Sequence, residues 1–222
     1  MNRSKFMLSI FALASIGDIV SILGNFEAHY AFKPAIVLAL MGYYWLEARE
    51  RSSTFLRALF FCWLGDCLLM FTGLGELYFI LGLIAFLIGH LFYIFCFRQM
   101  VWDHESQVLP TQKVRYVLPI LLAGTGLISV LYPMLGSMKI PVMVYSVVIM
   151  LMASYSLFRL GRTTRPSFTW VFIGALLFMV SDSMLAINKF YSSFYLASVG
   201  IMVTYISAQY MIVKGVLLHR GN

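Results

Sequence analysis

Apolar stretches of roughly 18 or more residues recur along the whole chain, and each is long enough to cross a ~30 Å hydrocarbon layer as a helix. The 222 residues are 61% hydrophobic and 11% charged, against about 25% charged in a typical soluble globule. Pattern and composition together exclude an ordinary soluble domain. They predict an all-α fold, a polytopic membrane helical bundle with spans at about 6–24, 33–47, 55–72, 76–98, 115–132, 140–158, 168–188 and 194–215. The second span is short and is expected to recruit flanking residues. The segment "RQMVWDHESQVLPTQKVR" divides the chain into halves of four helices. Neither half carries a soluble domain, so residues 1–222 read as a single transmembrane domain.

A formal charge of +7 invites a nucleic-acid partner, but its distribution argues against one. With both termini in the cytoplasm, thirteen of the sixteen Lys and Arg residues fall on the inner side, among them Arg159, Arg162, Arg165 and Arg220. Only Lys33, Lys139 and Lys189 fall outside, a strong positive-inside asymmetry that an even number of spans satisfies. The basic loops read as orientation signals that also meet anionic lipid headgroups. "NRSK" followed by an apolar run and Ala12-Leu13-Ala14 has the outline of a signal peptide, yet the hydrophobicity continues past that site and cleavage is not expected. Cys62, Cys67 and Cys96 all lie within spans and read as small core residues, not as a disulfide framework or metal site.

Within these spans stand three carboxylates: Asp18 in "SIGDIVSILG", Asp66 in "WLGDCLLMFTG" and Asp182 in "FMVSDSMLAINKF". Counting ~1.5 Å per residue from the inner helix ends puts them ~18–21 Å up, in one layer slightly beyond the midplane. Inserting three such groups costs on the order of 8–10 kcal/mol, which a chain tolerates when they face a polar interior. Holding helices together by hydrogen bonds is the plainer use of such groups. In the fourth span, "GLIAFLIGHLFYIF" sets Phe86, His90, Tyr93 and Phe97 on one helical face. His90 is the only histidine placed inside a span, since His29, His104 and His219 fall in loops or at an end. Its backbone is expected about two turns deeper than the aspartates, with the side chains leaning together.

Asp18 and Asp66 are 48 residues apart, and "MGYYW" follows the first as "IGHLFY" follows the second. "SDSMLA" and "ISAQY", with Gln209, take corresponding places in the last two helices, which suggests helix pairs repeated in parallel orientation. Lys33, Asn188 and Lys189 gather at the outer ends of the second and seventh spans. They either snorkel toward headgroups or receive the phosphate of an amphiphilic ligand. Glu76 is expected to face water.

"LGDCLLM", the spacing to "AFLIGHLFY", Lys33-Pro34, and "LLFMVSDSMLAINKF" followed by "YISAQ" resemble the lysoplasmalogenase-like family, also called the YhhN family. The resemblance runs through nearly the whole chain in the expected order. It implies an integral membrane protein that hydrolyses the vinyl ether bond of lysoplasmalogens to a fatty aldehyde and glycerophospho-ethanolamine or glycerophospho-choline. It also implies that Asp66 and Asp182 match the family's acidic positions, and that Lys33, His90, Tyr93 and Gln209 match accompanying polar ones. Asp18 corresponds to no family motif and is grouped with the substrate-binding candidates Lys33, Asn188, Lys189 and Gln209.

Vinyl ether hydrolysis begins with protonation of an alkenyl carbon and passes through an oxocarbenium-like cation that water captures. It needs one carboxyl as acid and one carboxylate to stabilise the cation or activate water. Asp66 and Asp182 are the candidate pair, with His90 and Tyr93 orienting them or the water. No cofactor is implied; the partners are a lysophospholipid, water and membrane lipids. A proton-coupled transporter or channel for a lipid or small amphiphile is the alternative, although the spans carry few of the Gly/Pro interruptions of broken helices. A zinc lipid hydrolase is a third reading: one intramembrane His and no Cys cluster argue against the usual three-ligand site, while mixed Asp/His ligation stays open. "GTG" at 124–126 falls within a span and reads as a packing feature. A bacterial inner membrane is the expected location, or the endoplasmic reticulum in a eukaryote.

Overall fold

A backbone in hydrocarbon must satisfy its own N–H and C=O groups, so apolar runs in such a chain become helices. The structure, a computed structural model, describes residues 3–102 and 109–219. His104 and Arg220, both assigned above, lie outside them. Among the described residues are eight α-helices and no strand: α1 (Arg3–Gly24), α2 (His29–Glu47), α3 (Ser53–Leu69), α4 (Glu76–Gln99), α5 (Pro110–Leu131), α6 (Lys139–Leu157), α7 (Arg165–Ala186) and α8 (Ala197–Leu217). They follow the expected spans in order. The second does recruit flanking residues, taking in His29 to Phe32.

Eight helices are not eight equal candidates for crossing a membrane. Six are long and apolar enough among the described residues; α2 and α3 fall outside that set. The 17 residues of α3 reach only ~25 Å, and α2 is diluted by His29, Lys33, Pro34 and the polar edges of Tyr43, Tyr44 and Trp45. The two helices least suited to lipid thus carry Lys33 and Asp66.

The chain divides into two compact units, Met1–Cys96 and Phe97–Asn222. In the first, α3 starts at Ser52, whose side chain caps the Phe55 N–H at 3.2 Å. It stops at Leu69, where the chain turns through the short 3-10 helix Thr72–Leu74 into α4. Asp66 consequently occupies the last turn of α3, not a position near the middle of a long span. Small residues set the packing of α4 on α3. A Cβ at Gly89 would lie 3.0 Å from Cys62 Sγ and 3.3 Å from the Ala58 carbonyl, so these backbones nearly touch.

In the second unit the same device joins α7 to α8, where a Cβ on Gly174 or Gly215 would lie 3.0 Å from the Ala208 or Ser167 carbonyl, respectively. Of the two glycines in the "GTG" run, Gly124 packs against Met150 and Gly126 meets open space. α7 is capped by the Thr164 hydroxyl on Ser167 N–H at 3.3 Å. It runs on into a π-helical turn, Ile187–Tyr191.

Arg159 proves to be more than an orientation signal. It is fully buried, donating from Nε to the Met100 carbonyl at 3.2 Å and from Nη2 to Ser167 Oγ at 2.8 Å. Ser167 Oγ donates onward to the Gly215 carbonyl at 2.7 Å. Beside it, Thr164 Oγ1 donates to Leu218 O at 3.1 Å, and Thr163 Oγ1 meets His219 Nδ1 at 2.8 Å. One guanidinium and its neighbours thereby tie together the chain after α4, the α6–α7 turn, the start of α7 and the end of α8. Burial, with the Arg159 charge adding to it, pushes the His219 imidazole below its ordinary pKa.

Candidate functional site

Each of the three aspartates follows a small residue, and in each case that small residue is the one pressed against the next helix. A Cβ on Gly17 would lie 2.8 Å from the Phe32 ring, and one on Gly65 2.5 Å from the Phe86 ring. Ser181 Oγ donates to the Ile201 carbonyl at 3.0 Å. Successive helical residues are ~100° apart, so every Asp is set to one side of a tight helix–helix contact. The small-Asp pair recurs in α1, α3 and α7.

In the first unit, Asp18 is fully buried, with none of its surface exposed. Its Oδ1 meets His29 Nδ1 at 2.6 Å. Sequence reasoning missed His29, because the apolar window opens only at residue 33. The signal was the i, i+4 spacing of His29 and Lys33, which puts both on one face of α2. Lys33 is half-buried, and the start of α2 lies beside the end of α3, where the Tyr30 and Phe71 ring centroids are 6.2 Å apart. Asp66 itself is buried. The unit thus collects Lys33 and Asp66 in one neighbourhood, where α3 ends and α2 begins, with the Asp18–His29 pair one turn along α2.

The α4 face is buried as expected: Phe86, His90, Tyr93 and Phe97 are all below a tenth exposed. Gly65 beneath Phe86 and Gly89 beside Cys62 fix the antiparallel register. His90 therefore lies at the level of Phe61, five residues or ~7.5 Å along the helix from Asp66, nearer than the two turns expected. The short 3-10 connection keeps the helix pair tightly in register. The Phe86 ring stacks toward His90 with centroids 6.5 Å apart. Tyr93 packs on Phe55, centroids 5.8 Å apart, which sets it ~16 Å along α3 from Asp66. There it joins Tyr44, whose ring edge meets Phe55 at 4.7 Å and whose hydroxyl accepts from Ser52 N–H at 2.9 Å.

In the second unit, Asp182 is half-buried and its Oδ2 accepts a hydrogen bond from the Tyr145 hydroxyl of α6. Nothing in the sequence marked Tyr145, one aromatic among many in an apolar span. Gln209 is fully buried and donates to Tyr205 Oη at 3.2 Å. Tyr205 in turn stands edge-on to Phe178, centroids 5.4 Å apart, one turn before Asp182. Asn188 is half-buried and Lys189 exposed, both on the π-helical turn beyond Asp182. Glu76, in the first unit, is exposed as expected.

A buried carboxyl such as Asp66 and a half-buried one under a phenol hydroxyl such as Asp182 can each hold and deliver a proton. Comparison with known proteins bears on which chemistry that is. The sequence matches the YhhN family over residues 28–216, a stretch that includes every candidate except Asp18. It is 32% identical over 145 residues to proteins named Lysoplasmalogenase from Mycobacterium bovis and Mycobacterium tuberculosis, covering 64% of this chain and 52% of theirs. The chain thus spans about half the length of these mycobacterial relatives. It is also 32% identical over 183 residues to the Homo sapiens protein Lysoplasmalogenase TMEM86B, covering 82% of this chain and 72% of that one. No solved structure matches it. With 28–216 matched, and the residues that carried the resemblance lying inside that stretch, the chain belongs to the YhhN family.

Proposed function

We propose that this chain is a membrane-embedded hydrolase that cleaves the vinyl ether bond of lysoplasmalogens, with Asp66 and Asp182 as its acid–base residues. The observation that carries the reading is Asp66. It is a buried carboxyl in the last turn of a helix too short to span hydrocarbon, and the end of that helix lies beside the start of α2, which carries Lys33. The relatives named lysoplasmalogenase support the substrate class.

In this mechanism a carboxylic acid gives its proton to the alkenyl carbon remote from the ether oxygen, and the double bond's electrons form the new C–H bond. The resulting oxocarbenium ion is stabilised by the second carboxylate, which also takes a proton from the incoming water. Water's oxygen bonds to the cationic carbon, and the hemiacetal so formed collapses: its hydroxyl proton goes to the first carboxylate as the C=O bond forms, the C–O bond to the glycerol breaks, and the second carboxyl gives its proton to the departing glycerol oxygen, which resets both groups. The products are a fatty aldehyde and a glycerophospho-alcohol, with one water consumed. Tyr145 holds the Asp182 carboxyl in place by its hydrogen bond. His90, on the α4 face packed against α3, orients Asp66 or the water. The substrate's chain lies among the helices, and membrane lipid surrounds the protein. Both termini face the cytoplasm, in accord with the distribution of Lys and Arg; reporter fusions at each end test that orientation.

The experiment is aldehyde release from a lysoplasmalogen by the purified chain in detergent. Hydrolysis survives there, whereas a proton-coupled transporter would show none. Asp66→Asn and Asp182→Asn are each expected to lower turnover by at least about 10²-fold while the protein still inserts, in line with the loss of a general acid or base. Full turnover in either variant contradicts the assignment.

A further inference from the structure

The Asp18–His29 pair is absorbed by none of this chemistry. Asp18 is fully buried and commits Oδ1 to His29, while its Oδ2 is also buried and has no hydrogen-bond partner. A buried carboxylate that spends only one oxygen is costly unless a counter-charge answers it, and the imidazole 2.6 Å away supplies that charge when it is protonated. With Nδ1 engaged, Nε2 is the nitrogen left for a ligand, and His29 keeps 25% of its side chain exposed. Lys33 follows one turn along the same face, at the start of α2, which packs beside the end of α3 that carries Asp66.

We propose that His29, seated on Asp18, and Lys33 form a phosphate-binding subsite that receives the headgroup of the lysophospholipid. The proposal rests on the functional reading above and adds to it the residue that recognises the anion. The chemistry fits the placement. When it carries both protons, an imidazole held at Nδ1 by a buried carboxyl has its Nε2–H to give in a fixed direction; an ammonium one turn away supplies further positive charge. Charge-assisted hydrogen bonds of this kind are the strong ones for phosphate oxygens. The positive end of the α2 dipole lies at the same place. The distance fits as well. From the phosphorus of a lysophospholipid to its ether oxygen run five bonds, on the order of 6 Å when extended, about one turn of α2. A phosphate at His29 and Lys33 therefore leaves the vinyl ether within reach of the Asp66 neighbourhood. Asp18 acts as a positioning residue, and it lies outside the stretch matched to the family. His29 is the ligand.

The test reads binding without turnover. The purified full-length chain in detergent is titrated with an uncleavable 1-O-alkyl lysophosphoethanolamine and with the matching 1-O-alkylglycerol, which lacks the phosphate. His29→Gln is expected to weaken the phospholipid about tenfold, the scale of one charge-assisted hydrogen bond, and to leave the alkylglycerol unchanged. Asp18→Asn should do the same to a smaller extent, and with the cleavable substrate His29→Gln should raise KM more than it lowers kcat. Equal weakening of both lipids, no weakening of either, or a fall in kcat at constant KM overturns the subsite; the last would make His29 a base. Inorganic phosphate separates the sources: weak competition that vanishes in His29→Gln supports the site, and phosphate binding as tight as the lipid's overturns the headgroup assignment. His29-dependent lipid binding by a protein that releases no aldehyde refutes the hydrolase reading and leaves the subsite standing.

Discussion

Tyr145→Phe removes a single oxygen and tests whether Asp182 acts as an oriented carboxylate. The hydroxyl donates to Asp182 Oδ2 from a residue that is 9% exposed, so the change keeps the ring that packs α6 on α7 and deletes the hydrogen bond to Asp182. Hydrogen bonds to charged acceptors contribute about 1.5–3 kcal/mol. Asp182 is only half-buried, and water can replace part of the loss, so about 1–2 kcal/mol remains to position the carboxylate. If that amount is felt in the transition state, turnover falls roughly 5- to 30-fold. The assay is aldehyde release in detergent, coupled to an alcohol dehydrogenase, with thermal unfolding measured on the same samples. Tyr155→Phe, a half-buried α6 tyrosine that stands edge-on to Phe158, serves as the control and should keep its rate. A Tyr145→Phe enzyme with the wild-type rate would refute the reasoning, as would one whose only change is a lower unfolding temperature.

Three further outcomes follow from the second unit and the helix contacts. Arg159→Met deletes two hydrogen bonds from a fully buried guanidinium and should destabilise the fold by about 3–5 kcal/mol, seen as a fall on the order of 10 °C in the unfolding midpoint; Arg159→Lys should recover only part of it, lacking the fork. His219 has its folded pKa lowered, by burial first and by Arg159 second, so the unfolded chain takes up the proton more readily. The stability it contributes is complete above the unfolded value of about 6.5 and drains away as pH falls below it. His219→Gln should flatten the dependence of the unfolding midpoint between about pH 6.5 and 5, where wild type declines. Gly89→Leu would drive a side chain into Cys62 and the Ala58 carbonyl and should lower both stability and turnover, since it displaces His90 along with α4; unchanged values would show that the α3–α4 contact is looser than the structure has it.

Much of this architecture is legible in the sequence because one force writes it: in hydrocarbon, length and apolarity alone decide where helices lie. The α4 face was legible for the same reason, since Phe86, His90 and Tyr93 recur at the helical period and are buried together. What escaped depends on geometry that hydropathy does not encode. His29 sits before the apolar window yet inside α2, because a helix entering a polar rim needs no apolar residues for its first turn. Tyr145 has no pattern around it; only the α6–α7 contact reveals that its hydroxyl reaches Asp182. Arg159 satisfies the positive-inside count, and the same charge, folded inward, becomes the centre of a hydrogen-bonded knot. Asp66 looked central because the apolar run continues to Phe71, whereas α3 stops at Leu69 and leaves the carboxyl in its last turn.

The central claim is that a protein-borne acid protonates carbon, and running the reaction in D2O tests it most directly. If a carboxyl in exchange with solvent protonates the alkenyl chain, the aldehyde, reduced in situ to trap it, carries one deuterium on the carbon next to the former carbonyl. That product should vanish in both Asp66→Asn and Asp182→Asn. Aldehyde released without that deuterium, or deuterated aldehyde formed at the full rate by either variant, would contradict the account.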